Sequence, residues 1–184
     1  MIGVTGASGV AIAQRVVEAI RAEGRPVALV ISHGARAVVQ EELGVAPSEL
    51  ERLAREVYPD TAFDAAIASG SSPTRGMAIV PCSASTVGKL ASGIADTLIT
   101  RAAHVHLKER RPLVIVPRET PMSTLLLRQL AELSGLGVVV LPAAPAFYLK
   151  PKSVRDVVDY LAGKVLDHLG VPHRLYVGWK AEAA

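Results

Sequence analysis

The sequence has little cysteine and no long apolar run, and each shortage excludes a class of protein. Cys82 is the only cysteine among 184 residues, which excludes an internal disulfide framework and fits a reducing compartment. No apolar segment is long enough to cross a membrane, and we expect no signal peptide. We therefore expect a cytoplasmic protein that does not bind membranes. Asparagine is also absent, which is typical of thermophilic proteins and equally of GC-rich genomes.

The excess of positive charge is small and spread along the chain. Lysine and arginine together number 20 against 17 acidic residues, a net charge of +3 that small anionic ligands account for. The one basic run, KERR at residues 108–111, lacks the interleaved aromatics of a nucleic-acid surface and suits a helix C-terminus. His104 and His106 are two residues apart on a predicted helix and face different directions. We expect no nucleic-acid partner and no bound metal.

Apolar segments alternate with amphipathic ones along the whole chain. Continuous apolar runs, typical of buried parallel strands, occupy residues 2–5, 27–31, 77–80, 113–116 and 138–141. Helices are predicted over residues 10–22, 35–43, 48–57 and 122–134, as a pair from about 84 to 110, and from a Ser153/Asp156 capping box to about Leu169. The alternation predicts an α/β fold with a doubly wound, mainly parallel sheet of Rossmann or flavodoxin type, in three αβα layers. We expect one domain over residues 1–184, with a tail from about residue 170.

Two segments rich in small residues join a predicted strand to a predicted helix. Residues 5–9 read TGASG, which lets the backbone approach a ligand and directs helix amides toward an anion. The spacing is not G-x-G-x-x-G, and Ser32 rather than an acidic residue ends the second strand, so NAD is disfavoured and FMN stays open. Residues 81–86, PCSAST, repeat the arrangement at a later strand. The alternative is that Ser8 and the later serines only cap helices. Cys82 has no partner cysteine and no redox motif, and we predict that it is a small core residue.

The most informative segment runs from Arg101 to Pro121. Its strand delivers Arg118 and Glu119 together, and ligands of open α/β sheets bind at the carboxyl ends of strands. Arg101 and Lys108 lie seven residues apart and so near one face of a helix. The combination predicts a cationic pocket with one proton acceptor, which suits a phosphate-bearing ligand, although each charge can also be a surface charge.

Other segments are less specific. Tyr148 lies in a proline-rich loop, PAAPAFYLKP, where it forms either a pocket wall or a core contact. Trp179 is in the polar tail, and Lys164 lies on the last helix. His33 follows the end of the second strand. The long loop SGSSPTRG, residues 69–76, suggests a function of its own because such connections are usually short.

Together these segments resemble the UbiX-type flavin prenyltransferases of the flavin-binding decarboxylase-like superfamily, once classed as aromatic-acid decarboxylases. TGASG, the SGS loop, PCS, RAAHV, LKERRPLVIVPRET and PAFY…PKS occur in family order over nearly the whole chain. The resemblance implies a cytoplasmic homododecamer with flavin sites at subunit interfaces. It implies a metal-free enzyme that joins a dimethylallyl group from dimethylallyl monophosphate to N5 and C6 of reduced FMN. The prenylated FMN serves a partner UbiD-type decarboxylase, with a link to ubiquinone biosynthesis.

The resemblance also assigns roles to residues. It implies FMN contacts by Gly6, Ala7, Ser8, Ser32, Ser83, Ala84, Ser85, Thr86 and Arg118. It implies that the allyl phosphate is held by Tyr148 and Lys164, that Trp179 helps cover the pocket, and that the catalytic and lining residues are Arg101, Lys108, Glu119, Ser8 and Glu42. Family members commonly carry arginine at the position of Lys164; lysine keeps the charge but loses the planar fork.

Two other functions stay open. One is an FMN-dependent decarboxylase of the same superfamily that oxidises a cysteine-derived substrate, in which an early histidine is catalytic; His33 is the only early histidine here. The other is a non-catalytic FMN carrier subunit of a decarboxylase complex. The FY and PRE segments favour the prenyltransferase.

Overall fold

Six short segments form one parallel sheet in the computed structural model, which describes residues 1–178. The strands are β1 (Ile2–Val4), β2 (Ala28–Ile31), β3 (Glu56–Pro59), β4 (Met77–Cys82), β5 (Leu113–Pro117) and β6 (Val139–Val140). Their order is β3-β2-β1-β4-β5-β6, and every neighbouring pair is parallel. The chain therefore builds outward from β1 in one direction and from β4 in the other. This doubly wound parallel sheet confirms the predicted fold.

Helices cover both faces of the sheet. They are α1 (Val10–Ala22), α2 (His33–Leu43), α3 (Pro47–Glu51), α4 (Ala84–Ala91), α5 (Leu98–Lys108), α6 (Thr124–Gly135) and α7 (Val154–Leu169), with 3-10 turns at Ala66–Ala68 and Phe147–Leu149. The helices α1, α2, α3 and α7 share one apolar core with the sheet, and α4, α5 and α6 share the other. The three predicted layers are confirmed. Among residues 1–178, no helix combines the length and apolar character needed to cross a membrane.

Strand β4 shows why the central strands read as continuous apolar runs. Met77 and Ile79 pack into the core beneath α4 to α6, whereas Ala78 and Val80 pack into the core beneath α1 and α7. Successive side chains of a strand point to opposite faces, so a strand covered on both faces needs apolar residues at every position.

The predicted helix over residues 48–57 is wrong in its second half. Helix α3 ends at Glu51, and the chain then forms β3, an edge strand paired only with β2. Val57 is 42% exposed, so β3 lacks the apolar run that marks the central strands. The N-cap is Ala46, because Pro47 takes the first helical position, which suits its fixed φ.

The last helix begins where the sequence predicts. Ser153 Oγ accepts from the amide of Asp156, and the Asp156 carboxylate accepts from the amides of Ser153 and Lys152. These hydrogen bonds, first the one from Lys152, lower the pKa of Asp156. The helix ends at Gly170, which has a φ of 63°. The capping box thus fixes the start of α7, the helix that carries Lys164.

Candidate functional site

The two central strands, β1 and β4, end in loops that are tied together. Thr5 Oγ1 donates to the carbonyl of Pro81 at 2.9 Å, and the amide of Ser83 donates to Thr5 Oγ1 at 2.8 Å. The chain leaves β1 and β4 toward opposite sides of the sheet, which opens a crevice at their carboxyl ends. Thr5 is buried and was not among the predicted site residues, although it organises this crevice.

The TGASG loop approaches the first turn of α2 very closely. A Cβ at Gly6 would lie 3.3 Å from the carbonyl carbon of Gly34, so a side chain there would push the two backbones apart. Ala7 is buried and Ser8 is exposed. The alternative in which Ser8 caps the helix is wrong, because Gly9 is the N-cap and supplies no side chain. A glycine is needed at that position, where φ is 113°.

Glu42 supplies the missing cap from the last turn of α2. Its carboxylate oxygens accept from the amide of Gly9 at 2.9 and 3.1 Å and from the amide of Val10 at 2.9 Å. These amides start α1, where a negative charge is stabilising. The chain's own carboxylate therefore occupies the anion position that the glycine loop predicted.

We expect Glu42→Ala to lower the free energy of unfolding by about 1–2 kcal/mol, the usual cost of losing a helix cap. Denaturant unfolding of the purified protein measures this. The matched control is Glu41→Ala, since Glu41 is exposed on the same helix and its side chain forms no hydrogen bond or ion pair with the other residues among 1–178. Equal losses in the two variants would contradict the capping role of Glu42.

The PCSAST segment forms the N-terminus of α4 beside the crevice. Ser83 is the N-cap, its Oγ accepts from the amide of Thr86 at 3.3 Å, and the two hydroxyls are 2.9 Å apart. Ala84 and Ser85 are exposed, and Thr86 is buried. The first amides of a helix have no acceptor within it, so this N-terminus offers donors to an anion.

Arg118 and Glu119 reach the same edge next to Ser83. Cys82 pairs with Pro117 in the ladder between β4 and β5, which places the residues that follow them side by side. Among residues 1–178 the exposed Arg118 guanidinium forms no ion pair or hydrogen bond, so Arg118 does not pair with the adjacent Glu119. Glu119 Oε1 accepts from the next amide, that of Thr120, at 3.2 Å.

Ser32 brings a third loop to this edge. Its amide donates to the carbonyl of Val4 at 2.9 Å, and its Oγ accepts from the amide of Ala35 at 3.2 Å, so Ser32 is the N-cap of α2. His33 is the first residue of that helix. One crevice thus brings together the predicted residues Gly6, Ala7, Ser8, Ser32, Ser83, Ala84, Ser85, Thr86, Arg118 and Glu119, with Glu42 beneath the glycine loop.

Arg101 and Lys108 do not lie in this crevice of their own chain. Helix α5 runs back along the sheet, so Lys108 at its end is near the start of β5, at the opposite edge from Glu119. Lys108 pairs with the neighbouring Glu109. The guanidinium Nε of Arg101 donates to the carbonyl of Ala68 at 3.1 Å. Within one chain, the hydrogen bonds and ion pairs of Arg101 and Lys108 are therefore with residues outside the crevice.

The long Ser/Gly loop is held at this opposite edge by a residue that sequence reasoning missed. Arg111 donates to the carbonyls of Gly70 and Ser72, each at 2.6 Å, and to Thr74 Oγ1 at 3.1 Å. The buried His106 lies 3.0 Å from the same Thr74 oxygen, and burial lowers the pKa of its ring. The basic run thus anchors a loop as well as ending a helix.

Tyr148 and Lys164 also lie outside the crevice of their own chain. Tyr148 is 47% exposed in the turn Phe147–Leu149. Lys164 lies ten residues into α7, about 15 Å along the helix. That helix ends near the starts of the strands, where Arg25 donates to the carbonyl of Gly170 at 3.3 Å. Trp179 lies outside the described residues.

The cysteine and the potential metal ligands of residues 1–178 give no sign of a reactive thiol or a metal site at the crevice. Cys82 is fully buried and burial raises the pKa of its thiol, so its predicted place in the core is confirmed. Within residues 1–178, no three His, Cys, Asp or Glu side chains are grouped to hold a metal ion.

The chain is similar in sequence and in structure to known flavin-binding proteins. The Flavoprotein family model matches residues 1–166. The chain is 48% identical over 179 residues to the flavin prenyltransferase UbiX of Thermoplasma acidophilum, which covers 97% of this chain and 98% of that protein. Identity to the UbiX of Methanothermobacter thermautotrophicus is 45%, over 97% of this chain and 94% of the relative. The chain belongs to the UbiX flavin prenyltransferase family.

Solved structures of UbiX proteins have the same fold. AnUbiX (PadA1), in complex with FMN and dimethylallyl pyrophosphate, is 38% identical with a TM-score of 0.92 over 97% of each chain. A dodecameric FMN-dependent UbiX-like decarboxylase from Escherichia coli O157:H7 is 37% identical with a TM-score of 0.95 over 98% of each chain. The cysteine decarboxylase SpaF is 22% identical with a TM-score of 0.62, which is a likeness of fold alone.

In this UbiX-family chain, the family's motif residues fall into two groups. One group lines the crevice at the carboxyl ends of the strands, and includes Arg118 and Glu119. The other group lies on the outer surfaces of α5, α7 and the turn before α7, and includes Lys108, Tyr148 and Lys164. A single chain therefore carries both groups without joining them.

Proposed function

We propose that this protein is a flavin prenyltransferase. It transfers a dimethylallyl group from dimethylallyl monophosphate to N5 and C6 of reduced FMN without a metal, and the prenylated FMN serves a UbiD-type decarboxylase. The observation that carries the proposal is the juxtaposition at the ends of β4 and β5, where an unpaired arginine and a helix N-terminus adjoin a carboxylate. Such a site binds a phosphate and moves a proton.

The crevice fits FMN. Because Glu42 already occupies the amides that start α1, the flavin phosphate goes to the N-terminus of α4, held by the Ser83 to Thr86 segment and by Arg118. The rest of the crevice is lined by Gly6, Ala7, Ser8 and Ser32. The backbone of Gly6 lies so close to that of Gly34 that position 6 has no room for a side chain. Bound reduced FMN supplies the ring atoms to which the five-carbon unit is joined.

The chain's own residues provide proton transfer and charge stabilisation. Glu119 accepts the proton that leaves the flavin ring, a role that the departing phosphate can share. Breaking the allylic C–O bond places negative charge on the phosphate, which Lys164 and Tyr148, with Arg101 and Lys108, stabilise. Tyr148 excludes water from the allylic group.

The two groups of motif residues meet when copies of the chain assemble. Tyr148, Lys164, Arg101 and Lys108 then reach the crevice of a neighbouring copy, as in a symmetric homo-oligomer with sites at its interfaces. A dodecamer is the assembly we propose, in line with the dodecameric neighbour at 37% identity. The exposed Phe147 beside Tyr148, 77% accessible, is consistent with a contact between copies.

A reconstitution experiment tests the proposed function. Purified protein is incubated anaerobically with reduced FMN, dimethylallyl monophosphate and a chelator, and the extracted flavin is analysed by mass spectrometry. We expect a gain of one five-carbon unit, absent without protein; a parallel incubation with the diphosphate identifies the preferred donor. Flavin that binds and emerges unmodified would overturn the proposal and turn attention to a decarboxylase that uses His33, or to a carrier.

We expect Lys164→Ala to raise the KM for dimethylallyl monophosphate by roughly 10- to 100-fold, the effect of one lost hydrogen bond to a charged group. The affinity for FMN is expected to stay the same, because Lys164 is assigned to the allyl phosphate and not to FMN. Steady-state kinetics and flavin titration measure the two quantities. Lys152→Ala, at an exposed position before α7, is the control. Equal weakening of both ligands contradicts the role assigned to Lys164.

A further inference from the structure

Lys164 belongs to a polar cluster formed by α7 and the tail that follows it. The Asp167 carboxylate, one turn further along α7, accepts from Lys164 Nζ at 3.2 Å and from the hydroxyl of Tyr176 at 2.5 Å. Its other oxygen lies 2.9 Å from His173 Nε2. His173 and Tyr176 come from the tail after Gly170, so the cluster forms only when the tail folds back onto α7.

Tyr148 is connected to the same cluster through Tyr160. The rings of Tyr160 and Tyr176 meet edge to face, with centroids 5.2 Å apart and planes at 72°. Burial and the adjacent Tyr148 raise the pKa of Tyr160. A continuous set of contacts therefore runs from Tyr148 through Tyr160, Tyr176 and Asp167 to Lys164. Its two ends are the two residues assigned to the allyl phosphate.

The tail packs on α7 at a position where only glycine fits. A Cβ at Gly163 would lie 2.6 Å from the ring of Tyr176 and 2.8 Å from that of His173. Gly163 lies inside the helix, where glycine is unfavourable relative to alanine. The close approach of the tail thus depends on a residue that weakens the helix itself.

The Lys164–Asp167 pair is charged, and its geometry restrains the lysine. Burial alone would lower the pKa of Lys164, but the hydrogen bond to Asp167 and the neighbouring Tyr176 raise it. Burial likewise opposes ionisation of Asp167, yet hydrogen bonds from Tyr176, His173 and Lys164 lower its pKa. A lysine has a flexible stem, so an anchored partner limits where its ammonium lies.

We infer that Tyr160, Asp167 and Tyr176 are positioning residues that hold Tyr148 and Lys164 in the arrangement that binds the allyl phosphate. The inference rests on the proposed function. Asp167 fixes the ammonium of Lys164 while leaving its other hydrogens for the phosphate. Tyr160 lies next to Tyr148, and Tyr176 connects Tyr160 to Asp167 through a ring contact and a hydrogen bond. Preorganisation of this kind lowers the cost of ordering side chains upon binding.

Gly163→Ala tests the inference without removing a polar group. The added methyl displaces Tyr176 and His173 from Asp167, and we expect the Kd of dimethylallyl monophosphate for the FMN-loaded protein to rise by about tenfold, the loss typical of one charged hydrogen bond. FMN affinity is expected to be unchanged. The control is Gly135→Ala in α6, where a Cβ meets no atom within 4 Å. An unchanged Kd for the monophosphate in Gly163→Ala would overturn the inference.

A coupling experiment separates positioning from a merely structural effect. Tyr176→Phe keeps the ring and removes the hydroxyl group that donates to Asp167. Tyr160→Phe keeps the ring next to Tyr148 and removes the hydroxyl group of Tyr160. Each is expected to weaken monophosphate binding several-fold, about 1 kcal/mol per hydrogen bond, with no effect on FMN. In a Lys164→Ala background, Tyr176→Phe is expected to have no further effect, because the residue through which it acts is gone.

Tyr58→Phe is the matched control, since the Tyr58 hydroxyl bonds only to Glu56 on the edge strand among residues 1–178. Additive losses from Tyr176→Phe and Lys164→Ala would contradict the inference. Calorimetric titration with the monophosphate does not depend on turnover. If the wild-type protein binds the monophosphate but does not modify flavin, the proposed function is contradicted and the inference is not. If the variants bind the monophosphate as tightly as the wild type does, the inference is contradicted and the proposed function is not.

Discussion

Replacing Glu119 by glutamine is expected to slow formation of the prenylated flavin by about 100- to 10,000-fold, the contribution typical of a general base. Glutamine has the same shape and still accepts from the amide of Thr120, as Glu119 does at 3.2 Å, but it cannot take up a proton. FMN affinity is expected to change little, because the variant leaves the proposed phosphate contacts, Arg118 and the N-terminus of α4, intact. Anaerobic single-turnover reactions, quenched and analysed by mass spectrometry, measure the rate.

The control for this variant is Glu132→Gln, which makes the same chemical change at an exposed position of α6. Its rate is expected to equal that of the wild type. If Glu119→Gln turns over at the wild-type rate, Glu119 has no part in the reaction and the departing phosphate is the remaining proton acceptor.

Replacing Arg118 by alanine is expected to weaken FMN binding by about 100-fold, since a bidentate charged pair with the phosphate is lost. Riboflavin lacks the phosphate, so its affinity is expected to be nearly the same in the variant and the wild type. Fluorescence titration with the two flavins measures both constants. The difference between FMN and riboflavin reports the phosphate contact itself.

Arg128→Ala, at an exposed position of α6, is the control, and Arg118→Lys is expected to recover part of the affinity because it keeps the charge without the fork. A loss that is equal for FMN and riboflavin would contradict a phosphate contact at Arg118. It would then place Arg118 against another part of the flavin or in the folding of the loop after β5.

The central part of the fold could be predicted because burial on both faces leaves a strong signal. Strands β1, β2, β4 and β5 are apolar throughout. The start of α7 is predicted by the capping-box residues Ser153 and Asp156. Strand β3 could not be predicted in the same way. It is an edge strand with mostly exposed side chains. Its hydrogen bonds with β2 stabilise it, and its own residues do not form the apolar run that marks a buried strand.

The site could be predicted where a single strand end delivers the residues. Arg118 with Glu119 and the Ser83 to Thr86 segment are examples, since the sheet places consecutive strand ends side by side. Contacts between distant segments had no such signal. The carboxylate of Glu42 lies 33 residues from the amide it caps, and Asp167 meets Tyr176 only because the tail turns back at Gly170. The spacing of residues within one short segment of the sequence cannot predict either contact.

The central claim is that one copy of the chain supplies the crevice with Glu119 and another supplies Lys164. The most direct test is co-expression of Glu119→Gln and Lys164→Ala chains with different tags, isolation of mixed assemblies by both tags, and measurement of flavin prenylation. Each variant alone is expected to be nearly inactive. With random assembly of two-chain sites, about a quarter of the sites hold both intact residues, and we predict that fraction of the wild-type rate. Mixed assemblies no more active than the single variants would contradict the claim and place both residues in one chain's site.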